Sequence, residues 1–415
     1  MGEVGLRNCP LTVGESFAKV SSAIGRIAPV DAMDARAGRL LDRVPITRIA
    51  DISPLDTIGS PVFVAVTPLA TDLTTHMGKG LDEQAARVSA TMEAIERVSA
   101  EAIHRPCHRA SFSDLCTTGA AVADPQRFDL PSTTTYREDL QLDWTEGWDL
   151  MTSRPIWIPA DLARSPSLDG VLDQADTNGL AAGATYGEAI RHALLECIER
   201  DAVSQHLYYE LFGDESKLPP PRRRIDAHSL SDSASRLVRL GQNDEHEILL
   251  DDLTGDLGVP VVCCNLLDHA YPTTEGPATR LFCGWGADTT AEAAVVRAVT
   301  EAYQSRAGVI QGARDSFNVA PKAHRRFTKS ARQKVLDPSQ SFDVSNIAGF
   351  SSDDISVDVD FILSRLAANG LDQVIVIDLM DNELDIPVVR VRVPGLSLFV
   401  VDHGRPGWRC ARHLL

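Results

Sequence analysis

Two stretches decide the reading: Gly80-Leu-Asp-Glu-Gln-Ala-Ala-Arg-Val-Ser-Ala-Thr-Met-Glu93-Ala-Ile-Glu96-Arg97 and Gly183-Ala-Thr-Tyr-Gly-Glu-Ala-Ile-Arg-His-Ala-Leu-Leu-Glu196-Cys-Ile-Glu199-Arg200. Both read Gly-x12-Glu-x-x-Glu-Arg, and they are offset by 103 positions (183 minus 80). A third, partial copy begins at Gly286; it carries Glu301, with Gln304 where the second glutamate would stand. Small and apolar residues recur at helical spacing in all three. They are Ala85, Val88, Met92 and Ile95; Ile190, Ala193, Leu194 and Ile198; Val295, Ala298, Val299 and Ala302. Asp82, Thr185 and Thr289-Thr290 stand where a first helical turn needs a cap. Strand-like runs accompany these helices at Pro61-Val-Phe-Val-Ala-Val, Val374-Ile-Val-Ile and Pro387-Val-Val-Arg-Val-Arg-Val-Pro394. The expected fold class is α/β. Its repeat of about 100 residues is far too long for a solenoid, and it suggests duplicated subdomains whose helices pack around a common site.

Residues three and four apart share a helix face. Ser89, Glu93 and Glu96 therefore form one stripe. Glu188 and His192 lead into Glu196, Glu199 and Arg200 on a second, and Arg297, Glu301 and Gln304 make a third. Carboxylates crowded on one face repel unless a cation sits between them. Mg²⁺ takes oxygen ligands, typically one or two carboxylates plus substrate phosphates. Phosphoryl transfer needs chiefly metal and cationic groups set against the charge developing on phosphate. A lone Glu-x-x-Glu-Arg is ordinary on a solvated helix; the repetition at one spacing is what singles these out.

Other sites are not legible. No G-x-x-x-x-G-K-[ST] occurs, and Met77-Gly-Lys-Gly80 has the wrong spacing for one. Gly284-Trp-Gly286 lacks the third glycine of a dinucleotide fingerprint. Glu101-x-x-His104 is a single pair, whereas a carboxylate-bridged di-iron site needs two. There is no G-x-S-x-G elbow. An ATP site here has to be built from acidic helices.

The 415 residues carry a net charge of -18, which argues against non-specific binding to nucleic acid or to an anionic membrane. No run approaches the length of a membrane span. Met1 to Pro10 lacks the apolar core of a secretory signal. Eight cysteines without a C-x-x-C make neither a zinc knuckle nor a disulfide framework. Cys263 and Cys264, inside Val-Pro-Val-Val-Cys-Cys-Asn-Leu-Leu, read as buried reduced thiols in a strand. A cytoplasmic location is the expectation.

The motifs, taken in order, resemble the YcaO family. They are Gly78-Lys-Gly-Leu followed by Ser89-Ala-Thr-Met-Glu93-Ala-Ile-Glu96-Arg97, then Thr177-Asn-Gly-Leu-Ala-Ala-Gly183 leading to Glu188 and to Glu196-Cys-Ile-Glu199-Arg200-Asp201, then Arg297-Ala-Val-Thr-Glu301-Ala-Tyr-Gln304-Ser-Arg306. Ile386-Pro-Val-Val-Arg-Val-Arg-Val-Pro394-Gly395-Leu396 is similar to that family's C-terminal strand. The resemblance runs from Pro45 to Leu396. It frames 1–44 as an N-terminal extension, 45–400 as the YcaO domain and 401–415 as a tail.

The resemblance implies a YcaO fold of pseudo-repeated α/β subdomains whose acidic helices surround an ATP/Mg²⁺ site. It implies that Glu93, Glu96, Glu196, Glu199 and Glu301 hold Mg²⁺, and that Lys79, Ser89, Asn178, Glu188, Arg200 and Arg297 lie by the nucleotide. Glu199, Arg200 and Arg297 are the expected catalytic residues, and Arg48 is a further candidate cation. The implied activity is ATP-dependent O-phosphorylation of an amide in a peptide or protein substrate. No Pro-x-Pro-x-Pro tail closes the chain and no fused precursor-binding domain precedes the first motif, which points away from azoline formation. Leu55-Asp-x-Ile-Gly-x-Pro61 near the start is most similar to members that work with a TfuA-like partner and make thioamides. Azoline or amidine formation and a non-catalytic precursor-binding scaffold are the alternatives. A homodimer is compatible with the chain, and the sequence leaves the oligomeric state open.

Overall fold

The computed structural model describes residues 5–20, 25–102, 106–131, 133–168, 170–172, 176–213, 222–269, 281–312 and 341–412. Three antiparallel sheets organise them. The first joins β1 (Arg48–Asp51), β2 (Val62–Val66) and β3 (Thr75–Lys79) in that order. The second contains β4 (His108–Ala110), β5 (Leu142–Asp149), β6 (Arg154–Pro159), β7 (Leu180–Ala182), β12 (Ile375–Asp378) and β13 (Val388–Arg392). Its order is β4-β5-β12-β13-β7, with β6 paired to β5. The third runs β11-β10-β9-β8, from β8 (Arg223–Arg224), β9 (His246–Asp252), β10 (Val261–Asp268) and β11 (Leu281–Ala287).

Among the described residues, eight α-helices pack on these sheets: α1 (Val30–Gly38), α2 (Glu83–Ala100), α3 (Phe112–Thr117), α4 (Tyr186–Phe212), α5 (Asp232–Leu240), α6 (Ala291–Gln311), α7 (Ile355–Ala368) and α8 (Gly407–Ala411). The three expected acidic helices are α2, α4 and α6, and each follows an edge strand of its sheet: β3, β7 and β11.

Alternation along β12 and β13 explains the double-sided core. Val374, Val376, Val389 and Val391 pack with α4 and α7, while Ile375, Ile377 and Val388 pack with Trp144, Ile158 and Leu180 on the other face. Cys263 and Cys264 are buried in β10, and all eight cysteines are free thiols.

The helix caps set the repeat's register. The carboxylate of Asp82 accepts from Ala85 N, Thr185 Oγ1 from Glu188 N, and Thr290 Oγ1 from Ala293 N. Counted from these caps, Glu93, Glu196 and Glu301 are all eleven residues in, and Glu96, Glu199 and Gln304 fourteen. This register matches Gly286 to Gly78, four before the cap, and puts Asp288 at the place of Gly80 and Gly183. The sequence reading starts the third copy at Gly286 and hides this shift. Gly78 and Gly286 share a reason to be glycine. A Cβ on Gly78 would lie 2.0 Å from Ala90 N, and one on Gly286 2.4 Å from Ala294 O. Helix backbone rests directly on strand backbone at both places.

The flanking segments are tied into this frame. Leu6 and Cys9 are fully buried, and the Glu15 carboxylate accepts from Tyr186 N (2.7 Å) and Gly187 N (2.9 Å) at the start of α4. At the other end, the α8 residue Arg409 pairs with Asp201 of α4 and with Asp256. Among the described residues no helix is long and apolar enough to cross a membrane.

Candidate active site

Each acidic helix reaches the edge strand of the next unit. Ala182 N of β7 donates to Glu96 Oε2 (3.1 Å), and Ala287 N of β11 donates to Glu199 Oε2 (3.0 Å). Closing the ring, Gln304 Nε2 donates to Met77 O of β3 (2.7 Å). The residue fourteen after the cap thus makes all three junctions. The spacing that aligns the acids also clasps the units into a pseudo-threefold ring.

The carboxylates converge inside it. Burial, reinforced by the charges of Glu93 and Glu196 and opposed by Arg97, holds the Glu96 carboxyl well above its ordinary range. Burial pushes Glu196 up to about 7, with Arg200 opposing and Glu199 adding to the rise. Glu199 is raised by burial and then by the charge of Glu301. Glu301 moves the other way: burial works against ionisation, but Lys79 and Arg200 outweigh it. Its Oε2 pairs with Lys79 Nζ, and its Oε1 accepts from Trp285 N (3.4 Å). The side chains of Glu93, Glu196, Glu301 and Lys79 keep 30, 19, 25 and 25% of their surface, so the cluster lines an open cleft.

Arginines rim the cleft. Arg97 lies 3.4 Å from Glu93, and Arg200 3.6 Å from Glu196. Arg297 Nη1 lies 3.4 Å from His192 Nδ1. An arginine only donates, so Nδ1 accepts and the imidazole hydrogen sits on Nε2. Burial and the nearby Arg297 and Arg26 charges hold the His192 pKa well below its ordinary value, which leaves the ring neutral. Ser89, His192 and Arg297 occupy one equivalent position, seven after the cap. Arg97 Nε and Arg297 Nε are buried without a hydrogen-bond acceptor.

Not every expected residue faces this cleft. Glu188 accepts from Arg26 Nη1 (2.9 Å) and Ile27 N (3.0 Å), so it straps the N-terminal segment to α4. Asn178 is buried beside Cys197, Val391 and Leu396 in a small hollow, and its Oδ1 has no partner. Ser89 is half-buried one turn before Glu93, and Arg48 is exposed on β1. Cys197 is buried in α4, and burial pushes its thiol up to about 12, which disfavours the thiolate. Glu101 binds the Thr71 turn through Thr71 N and Oγ1, while His104 lies outside the described residues.

The sequence reading missed several supports. Glu15 and Arg26 act on α4 from more than 160 positions away, and no local pattern marks them. Asp176, which pairs with the buried Arg390 (2.7 Å), anchors the turn that carries Asn178. Arg97 was in plain view, as the counterpart of Arg200.

The donor set suits Mg²⁺, being carboxylate oxygen throughout. Among the described residues no three acidic, histidine or cysteine side chains form a complete metal cage.

Comparison with known proteins gives the family and the fold. The profile of the ATP- and Mg²⁺-binding YcaO cyclodehydratases matches residues 77–397, and the chain belongs to this family. A protein of Methanothermobacter thermautotrophicus is 33% identical over 383 residues, covering 90% of this chain and 95% of that one. A Rhizobium leguminosarum bv. trifolii protein encoded in the tfuA 3' region is 29% identical, over 85% of this chain and 84% of its own length. YcaO from Methanopyrus kandleri, solved with AMPPCP and Mg²⁺, superposes with a TM-score of 0.71 at 26% identity, over 92% of this chain and 94% of that one. A heterocyclase solved with substrate and cofactor has a TM-score of 0.76 at 24% identity. It shares the fold over 93% of this chain, which spans 54% of its length.

Proposed function

We propose that the chain binds ATP and Mg²⁺ in the cleft between α2, α4 and α6, and activates a peptide amide by phosphorylating its oxygen. One observation carries this reading: Glu93, Glu96, Glu196, Glu199 and Glu301, from three distant stretches, share one open cleft with arginines at its rim. The glutamates would hold Mg²⁺, which supplies charge neutralisation at the transferring phosphoryl group. Arg200 and Arg297 stand ready to stabilise negative charge as it moves. The orphaned Nε of Arg297 and the neutral His192 that accepts from its Nη1 fit an arginine held for an anionic guest.

The product we favour is a thioamide, with a sulfur donor and a TfuA-like partner. Sulfide adds to the amide carbon, the resulting oxyanion takes the phosphoryl group, and phosphate leaves with the original oxygen to give C=S. The relative encoded beside tfuA supports this choice. The family's description as cyclodehydratases supports the second reading, an azoline or amidine made by an internal nucleophile. Purified chain given peptide, ATP and sulfide should yield a product heavier by the oxygen-to-sulfur difference. A product lighter by one water would support ring closure instead. The metal reading has its own test: Glu199→Gln should stop ATP turnover while the chain stays folded, and normal hydrolysis by that variant would refute it.

A further inference from the structure

Two positions set the α4–β11 junction apart from its sisters. Six residues after the caps stand Val88, Arg191 and Val296, and two residues before them stand Gly80, Gly183 and Asp288. At these places the α2–β7 and α6–β3 junctions have a valine and a glycine, and the α4–β11 junction has an arginine and an aspartate. That pair is buried and joined. Arg191 Nη2 donates to Asp288 Oδ1 (2.5 Å) and to Thr289 Oγ1 (3.3 Å), and Arg191 Nε donates to Asp358 Oδ2 of α7 (2.6 Å). Lys19 Nζ lies 2.6 Å from the same Asp358 oxygen. The side chains of Lys19, Asp358, Arg191 and Asp288 keep 2, 0, 4 and 3% of their surface, and their charges alternate in sign. A Cβ on Gly25 would lie 2.5 Å from Arg191 Nη1, so the N-terminal segment closes over the guanidinium.

We propose that Arg191 and Asp288 are positioning residues for Glu199, holding the end of β11 at one place along α4. The inference rests on the reading of Glu199 given above. Arg191 and Glu199 stand eight residues apart on α4, about 12 Å along its axis. They grip neighbouring residues of the next unit: Glu199 accepts from Ala287 N (3.0 Å), and Arg191 donates to Asp288. A single hydrogen bond leaves the end of β11 free to shift along the helix. A second tie, reaching it from two turns away, removes that freedom. Asp358 of α7 and Lys19 of the N-terminal segment hold the arginine in turn. Stability alone does not call for this cluster. A buried ion pair can often be replaced by well-packed apolar residues at no loss, and the two sister junctions close without an arginine and an aspartate at these places.

ATP hydrolysis by the full chain with Mg²⁺, measured beside melting curves, separates positioning from mere support. The double variant Arg191→Val/Asp288→Gly copies the other two junctions and leaves Lys19 paired with Asp358, so it orphans no buried charge. It should melt cooperatively near the wild-type temperature and lose about 10- to 100-fold in kcat, with the KM for ATP changed by about twofold or less. Asp288→Asn should do the reverse. Its Oδ1 still accepts from Arg191, and the Oδ2 it replaces is buried without a hydrogen-bond partner. Its kcat should therefore stay within about twofold of wild type, while its melting temperature falls with the lost charge. A folded double variant with the wild-type kcat would overturn the proposal. Should the double variant fail to fold, Asp288→Ala against Asp288→Asn decides. The alanine variant should turn over ATP at least about fivefold more slowly than the asparagine variant, and equal kcat values overturn the proposal too. A wild type without ATP turnover would instead sink the reading of Glu199 beneath it.

Discussion

The α2–β7 and α4–β11 junctions are closed by a glutamate against an alanine-bearing strand, and the α6–β3 junction by a glutamine against a strand that carries Lys79. Glu96 and Glu199 lock their neighbours by accepting from a strand N–H, and Gln304 locks its neighbour by donating to a strand carbonyl. Mechanically the three are one device. Electrostatically they are not, because the first two place an ionisable carboxyl at the cleft and the third places a neutral amide. Holding the ring together therefore does not need a carboxylate. The carboxylates at Glu96 and Glu199 are then available for something else, and burial raises both carboxyls, so ionising either one calls for a nearby cation.

That comparison can be broken at its strongest point first. Glu199→Gln keeps an oxygen that can accept from Ala287 N–H and removes only the charge. Its melting temperature should stay close to wild type while ATP turnover falls by about 10²-fold or more. A parallel loss of stability would mean that charge and lock are inseparable. Next in size is the contact common to the first and third units. Gly286→Ala places a methyl against helix backbone, and denaturant unfolding should report a loss of about 3 kcal/mol. A smaller loss would mean that α6 slides on β11 more freely than the 2.4 Å contact allows.

The third lock gives a medium effect. Gln304→Glu turns a donor into an acceptor against Met77 O, so two acceptors face one another. The cost should be about 2 kcal/mol in denaturant unfolding, whereas a Gln-to-Glu change on an exposed helix face should be nearly neutral. The smallest effect lies outside the ring and serves as its control. Burial, with the charge of Asp201, raises the Asp129 carboxyl to about 7. The folded chain therefore holds a proton that the unfolded chain loses above about pH 4. Stability from this group falls as pH rises from about 4 to 7 and does not return above it. Asp129→Asn is neutral throughout and suits the left-handed φ of 47° there. Its advantage over wild type should grow between pH 5 and pH 8, by about 1 kcal/mol after allowance for solvent at a group only partly buried. Melting curves at the two pH values check it; a constant difference would mean that Asp129 is ionised in the fold.

Much of this was legible in one dimension. The helices α2, α4 and α6, their caps and the strands β2, β12 and β13 follow from apolar spacing and polar stops, which are local properties. The acidic positions stood out because duplication repeated them at one distance from a cap. The sequence could also show Gln304 breaking the pattern, though not why. Its partner, Met77 O, lies 227 positions away on a strand that only the ring brings near.

What the amino-acid order determined by itself was therefore the periodic part: which segments coil, where they start, and which face of each carries acid. The tertiary structure alone decided which acid meets which cation. It turned Glu188 toward Arg26, set Asn178 behind α4, and placed Lys79 on Glu301. The physical reason is range. Helical periodicity is set by bonds between residues a few positions apart, whereas a charge is neutralised by whatever the fold brings within a few ångströms, however distant in sequence.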